Sequence, residues 1–260
     1  MTMWDCPGFL DVPERDGKPR RRGVTHVLDR GATLVELEAR LEQAGHLVDV
    51  VKIGWGISYV DPMLKQRVAL CSDAGVKVCL GGTLLEIATI QGRLDELRRW
   101  AADLGVDSLE VSNGLQALSP GRKTQLVRAL AEDFTVLAET GAKHGHVPVV
   151  ADEWLAEMEA DLAAGATWVV AEGRESGTVG VYREDGSVRT DLVDAIAARL
   201  PLDQVIFEAP RKSQHAWFVR RLGPAVNLGN VPLDEVLPLE TLRLGLRADT
   251  AALADLGVSR

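Results

Sequence analysis

The chain has 260 residues, 46% of them hydrophobic and 26% charged, and a formal net charge of −9. That length supports a sizeable core, in one large domain or two small ones. The acidic balance speaks against general affinity for nucleic acid, which needs a basic face, yet it leaves room for a small anionic ligand met by local positive charge. Three cysteines, Cys6, Cys71 and Cys79, make no even disulfide framework and have no zinc-site spacing. Thiols packed as small hydrophobes in a reducing cytoplasm are therefore expected.

Residues 1–22 read as an N-terminal arm without the apolar segment of a signal peptide. No apolar run anywhere approaches the ~18 residues that a bilayer span needs, so no membrane partner is expected. The basic cluster Lys18, Arg20, Arg21 and Arg22 reads as a solvated arm or, more sharply, as a flap over an anionic site.

Residues 23–260 read as a single domain. From Gly23 onward, apolar β-rich runs alternate with amphipathic helical patterns. The runs fall at 24–28, 48–53, 76–80, 108–111, 134–138, 167–171, 204–209 and 225–228. The helical patterns fall near 33–45, 62–74, 91–104, 120–132, 152–164, 190–199, 212–221 and 233–245. Ser119-Pro120 starts one helix and Asp152 is placed to cap another. Gly75, Gly105 and Gly165 follow helix ends, where a left-handed cap is wanted. Near-continuous apolar strands belong to parallel sheets covered by helices. The alternation predicts an α/β fold, a (β/α)8 TIM barrel. A doubly wound sheet is the alternative, but the first corner, LDRGATL, lacks its Gly-rich nucleotide turn.

In such a barrel the working face lies at the C-terminal ends of the strands. The residues following each strand gather there: Asp29 and Arg30; Lys52, GWG (54–56) and Ser58; GGT (81–83) and Glu86; Glu110, Ser112 and Asn113; Glu139 and Lys143; Glu172, Arg174 and Glu175; Glu208, Arg211, Lys212 and Ser213; Asn227, Gly229 and Asn230. Strands four to seven each end in a glutamate. Two carboxylates ~5 Å apart repel by roughly 3 kcal/mol at an effective dielectric near 20. A divalent cation, interleaved Lys and Arg, or a raised pKa must offset that. Oxygen-only ligands favour Mg²⁺. Internal pairing, as of Glu172 with Arg174 or Lys52, meets the same need without a metal. The last two corners suit an anion, with Arg211, Lys212 and Ser213, the NLGN turn at 227–230, and a helix expected to start near Pro232. Trp55 between its glycines reads as a rim plug, and His144 and His146 as members of a polar loop.

The corners VLDRG (27–31), VKIGWGIS (51–58), GGTLLE (81–86), LEVSNG (109–114), LAETGAK (137–143), EGRESG (172–177), IFEAPRKSQ (206–214), NLGN (227–230) and LETLRLGLRADT (239–250) together resemble the phosphosulfolactate synthase family. The resemblance implies a (β/α)8 barrel and Mg²⁺-dependent addition of sulfite to phosphoenolpyruvate. It assigns Glu110, Glu139 and Glu172 to the metal and Lys143, Lys52 and Glu110 to catalysis. Arg30, Lys52, Ser112, Asn113, Arg174, Arg211, Lys212, Gly229 and Asn230 fall to substrate binding. Phosphoenolpyruvate and sulfite are the expected partners, in a cytoplasmic homo-oligomer. Ile57, Asn113 and Ala142 depart from the family pattern, where threonine, aspartate and lysine are expected, and Arg30 stands where lysine is common. These departures keep two other readings open: a paralogue adding a different nucleophile to phosphoenolpyruvate or a related phosphorylated acid, and a non-catalytic anion-binding barrel.

Overall fold

A computed structural model describes residues 7–142 and 148–254; Cys6, Lys143, His144 and His146 lie outside the described residues. Eight strands, β1 (Thr25–Asp29), β2 (Val50–Ile53), β3 (Lys77–Leu80), β4 (Ser108–Val111), β5 (Thr135–Thr140), β6 (Trp168–Ala171), β7 (Val205–Glu208) and β8 (Asn227–Val231), form a closed barrel in sequential order. Every neighbouring pair is parallel, including the closing pair β1 and β8. The helices are α1 (Leu34–Ala44), α2 (Ile57–Val60), α3 (Leu64–Asp73), α4 (Gly82–Ile90), α5 (Leu94–Asp103), α6 (Pro120–Leu130), α7 (Ala151–Ala163), α8 (Thr190–Arg199), α9 (Lys212–Leu222) and α10 (Val236–Arg243). None of the described helices is long and apolar enough to cross a membrane.

Strand side chains alternate between two environments, as a two-residue period requires. One set, including Val27, Val51, Ile53, Leu109, Val136, Val169 and Phe207, packs under the helices. The other, Val24, Val50, Cys79, Leu137, Trp168, Val170 and Ile206, fills the barrel interior as a separate apolar cluster. Two residues beyond a member of that interior cluster stand Lys52, Glu139, Glu172 and Glu208. The register pairs Glu110 with Leu137. The chain thus builds an apolar plug and then, one step further along the same inward-facing positions, a charged layer at the C-terminal mouth.

The local signals mostly act as the sequence suggests. Ser119 accepts from Arg122 N and Pro120 opens α6. Gly75, Gly105 and Gly165 have φ of 63°, 76° and 111°. Asp152, however, lies inside the first turn of α7, whose N-cap is Val150. Two helices follow β3 instead of one, because α4 begins directly at the strand end and Gly92, at φ 68°, separates it from α5. The stretch expected to become a helix from 233 opens as a 3₁₀ turn, Leu233–Glu235, before α10.

Among the described residues of the arm, Arg15, Lys18 and Arg20 do not form a flap over the mouth; they pack at the opposite end of the barrel. Arg15 donates to Glu240 and to the Gly23 carbonyl, and Arg20 to Asp49 and the His46 carbonyl. Lys18 donates to the Gly45 carbonyl. Gly23 precedes β1, and Gly45, His46 and Asp49 precede β2, while Glu240 belongs to α10, so the basic residues satisfy groups at the strand N-termini and tie the arm to the last helix.

Candidate active site

The C-terminal ends of the strands surround a cavity of 220 Å³ whose wall includes Lys52, Glu110, Glu139, Glu172, Arg174 and Glu208. Lys52 is 4% exposed, and Glu110, Glu139, Glu172 and Glu208 are each 2% exposed or less. Lys52 Nζ donates to Glu110 Oε2 at 2.7 Å and Glu208 Oε1 at 2.9 Å, and stands 4.0 Å from Glu139 Oε2. Burial disfavours the Lys52 ammonium, but the charges of Glu110, Glu208 and Glu139 outweigh it and hold its pKa well above the ordinary value. Lys52 is thus a fixed cation at any working pH of this arrangement.

The second oxygens of its partners are held by backbone N–H groups. Glu110 Oε1 accepts from Gly82 N at 2.9 Å, at the start of α4. Glu208 Oε2 accepts from Gly173 N and Arg174 N, both at 2.9 Å. Burial raises the pKa of Glu208, but the Lys52 charge and these N–H donors prevail and bring it down to about 2. The residue donating the second of them, Arg174, has φ 61°, and its N–H also reaches Glu172 Oε1 at 2.7 Å. That is the local reason for the sequence EGRESG. The chain turns through a left-handed residue so that two successive N–H groups point at one buried carboxylate. A Cβ on Gly173 would lie 2.6 Å from Tyr182 Cε2 and 2.8 Å from the Glu208 carbonyl, so no side chain fits there.

Among the described residues, Glu110, Glu139 and Glu208 form a group whose carboxylate oxygens lie within 4.8 Å of one another. The three carboxylates offer a cluster of hard oxygen donors, which suit a hard dication. The residues present therefore fit a metal ion.

The expected site residues divide. Lys52, Glu110, Glu139, Glu172, Arg174 and Asn230 share the 220 Å³ cavity. Asn230, at φ 52°, is 4% exposed with Oδ1 lacking a hydrogen-bond partner, and its N–H reaches His26 Nδ1 at 3.4 Å. Gly229 lies beside it; a Cβ there would stand 2.9 Å from Ile206 and 3.1 Å from His26 Nδ1. His26 is fully buried, and burial together with the Lys52 charge lowers its pKa to about 3, so it stays neutral.

Others do not reach that cavity wall. Arg30 is exposed and lines a neighbouring cavity with Glu36, Arg40 and Asp234. Ser112 donates to Glu86 Oε1, while Asn113 closes its loop by exchanging hydrogen bonds with the Leu118 backbone at 2.8 and 2.9 Å. Lys212 pairs with Asp249 at 2.7 Å, and Arg211 is exposed. Lys143 lies outside the described residues. Sequence reasoning gathered Glu208 at the mouth but left it out of the metal set, where the structure groups it with Glu110 and Glu139. The inward parity Ile206, Glu208 carries the signal, but the same parity also favours Glu172, and only the three-dimensional arrangement separates the two.

Residues 13–249 match the family described as (2R)-phospho-3-sulfolactate synthase (ComA). The chain is 39% identical over 251 residues to the phosphosulfolactate synthase of Methanothermobacter thermautotrophicus, covering 94% of this chain and 97% of that one. It is 40% identical over 236 residues to the phosphosulfolactate synthase of Methanocaldococcus jannaschii, covering 88% and 94%. Among solved structures, the YdjI aldolase of Escherichia coli K12 superposes with a TM-score of 0.56 at 14% identity, covering 90% of each chain, a likeness of fold alone.

Proposed function

The chain belongs to the phosphosulfolactate synthase family, enzymes that form a carbon–sulfur bond, and on that footing we propose that it adds sulfite to phosphoenolpyruvate in a Mg²⁺-dependent reaction giving 2-phospho-3-sulfolactate. The observation that carries this reading is the convergence of Glu110, Glu139 and Glu208 around Lys52 at the barrel mouth.

The sulfur lone pair of sulfite attacks the methylene carbon, the carbon–carbon π pair moves toward the carbon bearing phosphate and its carboxylate, and that carbon then takes one proton. Negative charge thus grows on the substrate carboxylate during attack, and the site must stabilise it there. Glu110, Glu139 and Glu208 would hold Mg²⁺, with Glu172 beside them; a bound dication supplies Lewis-acid polarisation of the substrate carboxylate. Lys52 adds a fixed ammonium in the same low-dielectric layer. Because Lys52 keeps its proton, its role is electrostatic, and the proton for carbon is assigned to Lys143. Arg174, ion-paired with Glu175 at the rim, and Asn230 are the wall residues offered to the anionic groups. Arg30 and Arg211, exposed on flanking loops, would meet anions on the way in. Buried, unpaired Cys71 and Cys79 support a reducing, cytoplasmic setting.

Incubation with phosphoenolpyruvate, sulfite and Mg²⁺ should yield a sulfonated phosphoester by mass spectrometry, and Lys143→Ala should slow it at least ~100-fold. Turnover only with another nucleophile in place of sulfite would favour the divergent-paralogue reading that Ile57, Asn113 and Ala142 motivate. Ile57 packs against the core rather than presenting a hydroxyl.

A further inference from the structure

We propose that Lys123, on the first turns of α6, is a positioning residue that fixes Glu139 within the carboxylate group of the mouth. The proposal rests on the metal-site reading above. Lys123 is 1% exposed, an unusual place for lysine, whose ammonium ordinarily reaches water. Its Nζ instead turns inward. It donates to the Glu139 carbonyl at 2.7 Å and to Glu157 Oε1 at 2.5 Å, and pairs with Asp161 Oδ2 at 2.6 Å. Glu157 and Asp161 lie four residues apart on one face of α7.

A clamp between α6 and α7 needs only the two carboxylates. The third bond goes to the main chain of a residue in the carboxylate group itself. The strand register explains why. The β4–β5 ladder ends at Val111 and Ala138, so Glu139 and Thr140 overhang β4. On the other edge the Thr140 carbonyl accepts from Glu172 N at 3.0 Å. Successive carbonyls of a strand point to opposite edges, so the Glu139 carbonyl faces the side that β4 has vacated. A buried carbonyl there requires a donor from elsewhere, and Lys123 supplies it. Glu139 Oε2 stands 4.0 Å from Lys52, which donates to Glu110 and Glu208 in the same group. Lys123, carried by α6, thus holds the backbone from which the third carboxylate projects.

The test is Mn²⁺ binding to the full chain, followed by electron paramagnetic resonance, for the wild type and four variants. Lys123→Met should weaken Mn²⁺ at least ~10-fold, as loss of an outer support for a metal ligand does. Lys123→Arg, which keeps a cationic donor, should recover most of that affinity. Asp161→Asn leaves the Glu139 bond in place and should lower the thermal midpoint while holding Mn²⁺ affinity within about twofold. If Lys123→Met does not fold, the double variant with Asp161→Asn, which removes a stranded buried carboxylate, takes its place in the same measurement. A folded Lys123→Met, or the double variant, binding Mn²⁺ as tightly as wild type overturns the positioning role alone. A wild type that binds no Mn²⁺ overturns both this role and the metal site beneath it.

Discussion

Among the described residues, Lys52 is the ammonium set among the carboxylates of the mouth, and burial would otherwise disfavour its charge. Lys52→Met should destabilise the protein by about 3–5 kcal/mol at neutral pH, the usual cost of stranding buried charge. The loss should shrink as pH falls and the glutamates take up protons, and urea unfolding across pH checks this. Glu208 gives the complementary test. Its folded pKa of about 2 lies below the ordinary 4.5, so the unfolded state binds the extra proton between those values. The stability it contributes is complete above pH 4.5 and disappears as pH falls toward 2. Glu208→Gln should therefore lose stability less steeply than wild type through that window. At this scale the sequence showed the glutamates and Lys52 at their strand ends. It did not show that Asn113 binds its own loop or that Lys212 pairs with Asp249, because both follow from loop paths that no period encodes.

The loop after β6 helps turn those residues into a site, while the N-terminal arm supports the barrel elsewhere. The β6 loop leaves the strand through Gly173 and the left-handed Arg174, and Tyr182 ties it back by donating to the Glu208 carbonyl at 2.6 Å. Gly173→Ala should push this loop off β7, lower stability by about 1–3 kcal/mol and weaken Mn²⁺ binding in the same titration. The arm acts at the other end. Arg15 pairs with Glu240 at 2.7 Å with both side chains 5% exposed. Arg15→Ala should lower stability by about 3–5 kcal/mol in urea yet leave KM for phosphoenolpyruvate unchanged. A raised KM would instead mean that the arm reaches the mouth. Strands were legible from their apolar runs, with ends displaced by up to three residues. Helix α4 was not, because GGTLLEIATI passes from strand to helix without a polar corner, and Ile87 and Ile90 stay exposed, which blurs its apolar face.

As a whole, the molecule separates stability from chemistry along the barrel axis. An apolar plug fills the interior, an arm and αβ loops close one end, and charged side chains crowd the other. The alternation of eight apolar runs with helical patterns foretold the closed barrel, because parallel strands buried on both faces have few other solutions. Which glutamates converge depended on strand stagger and loop strain, which are properties of the closed barrel and not of any one segment. The account stands on a dication held at that convergence while phosphoenolpyruvate is attacked. Crystals soaked with Mn²⁺ and phosphoenolpyruvate test this most directly through the anomalous map. The predicted result is a peak about 2.1 Å from oxygens of Glu110, Glu139 and Glu208, with the ligand carboxylate beside it. The contradicting result is phosphoenolpyruvate bound in the mouth with no anomalous peak there, and all three glutamates still gathered on Lys52.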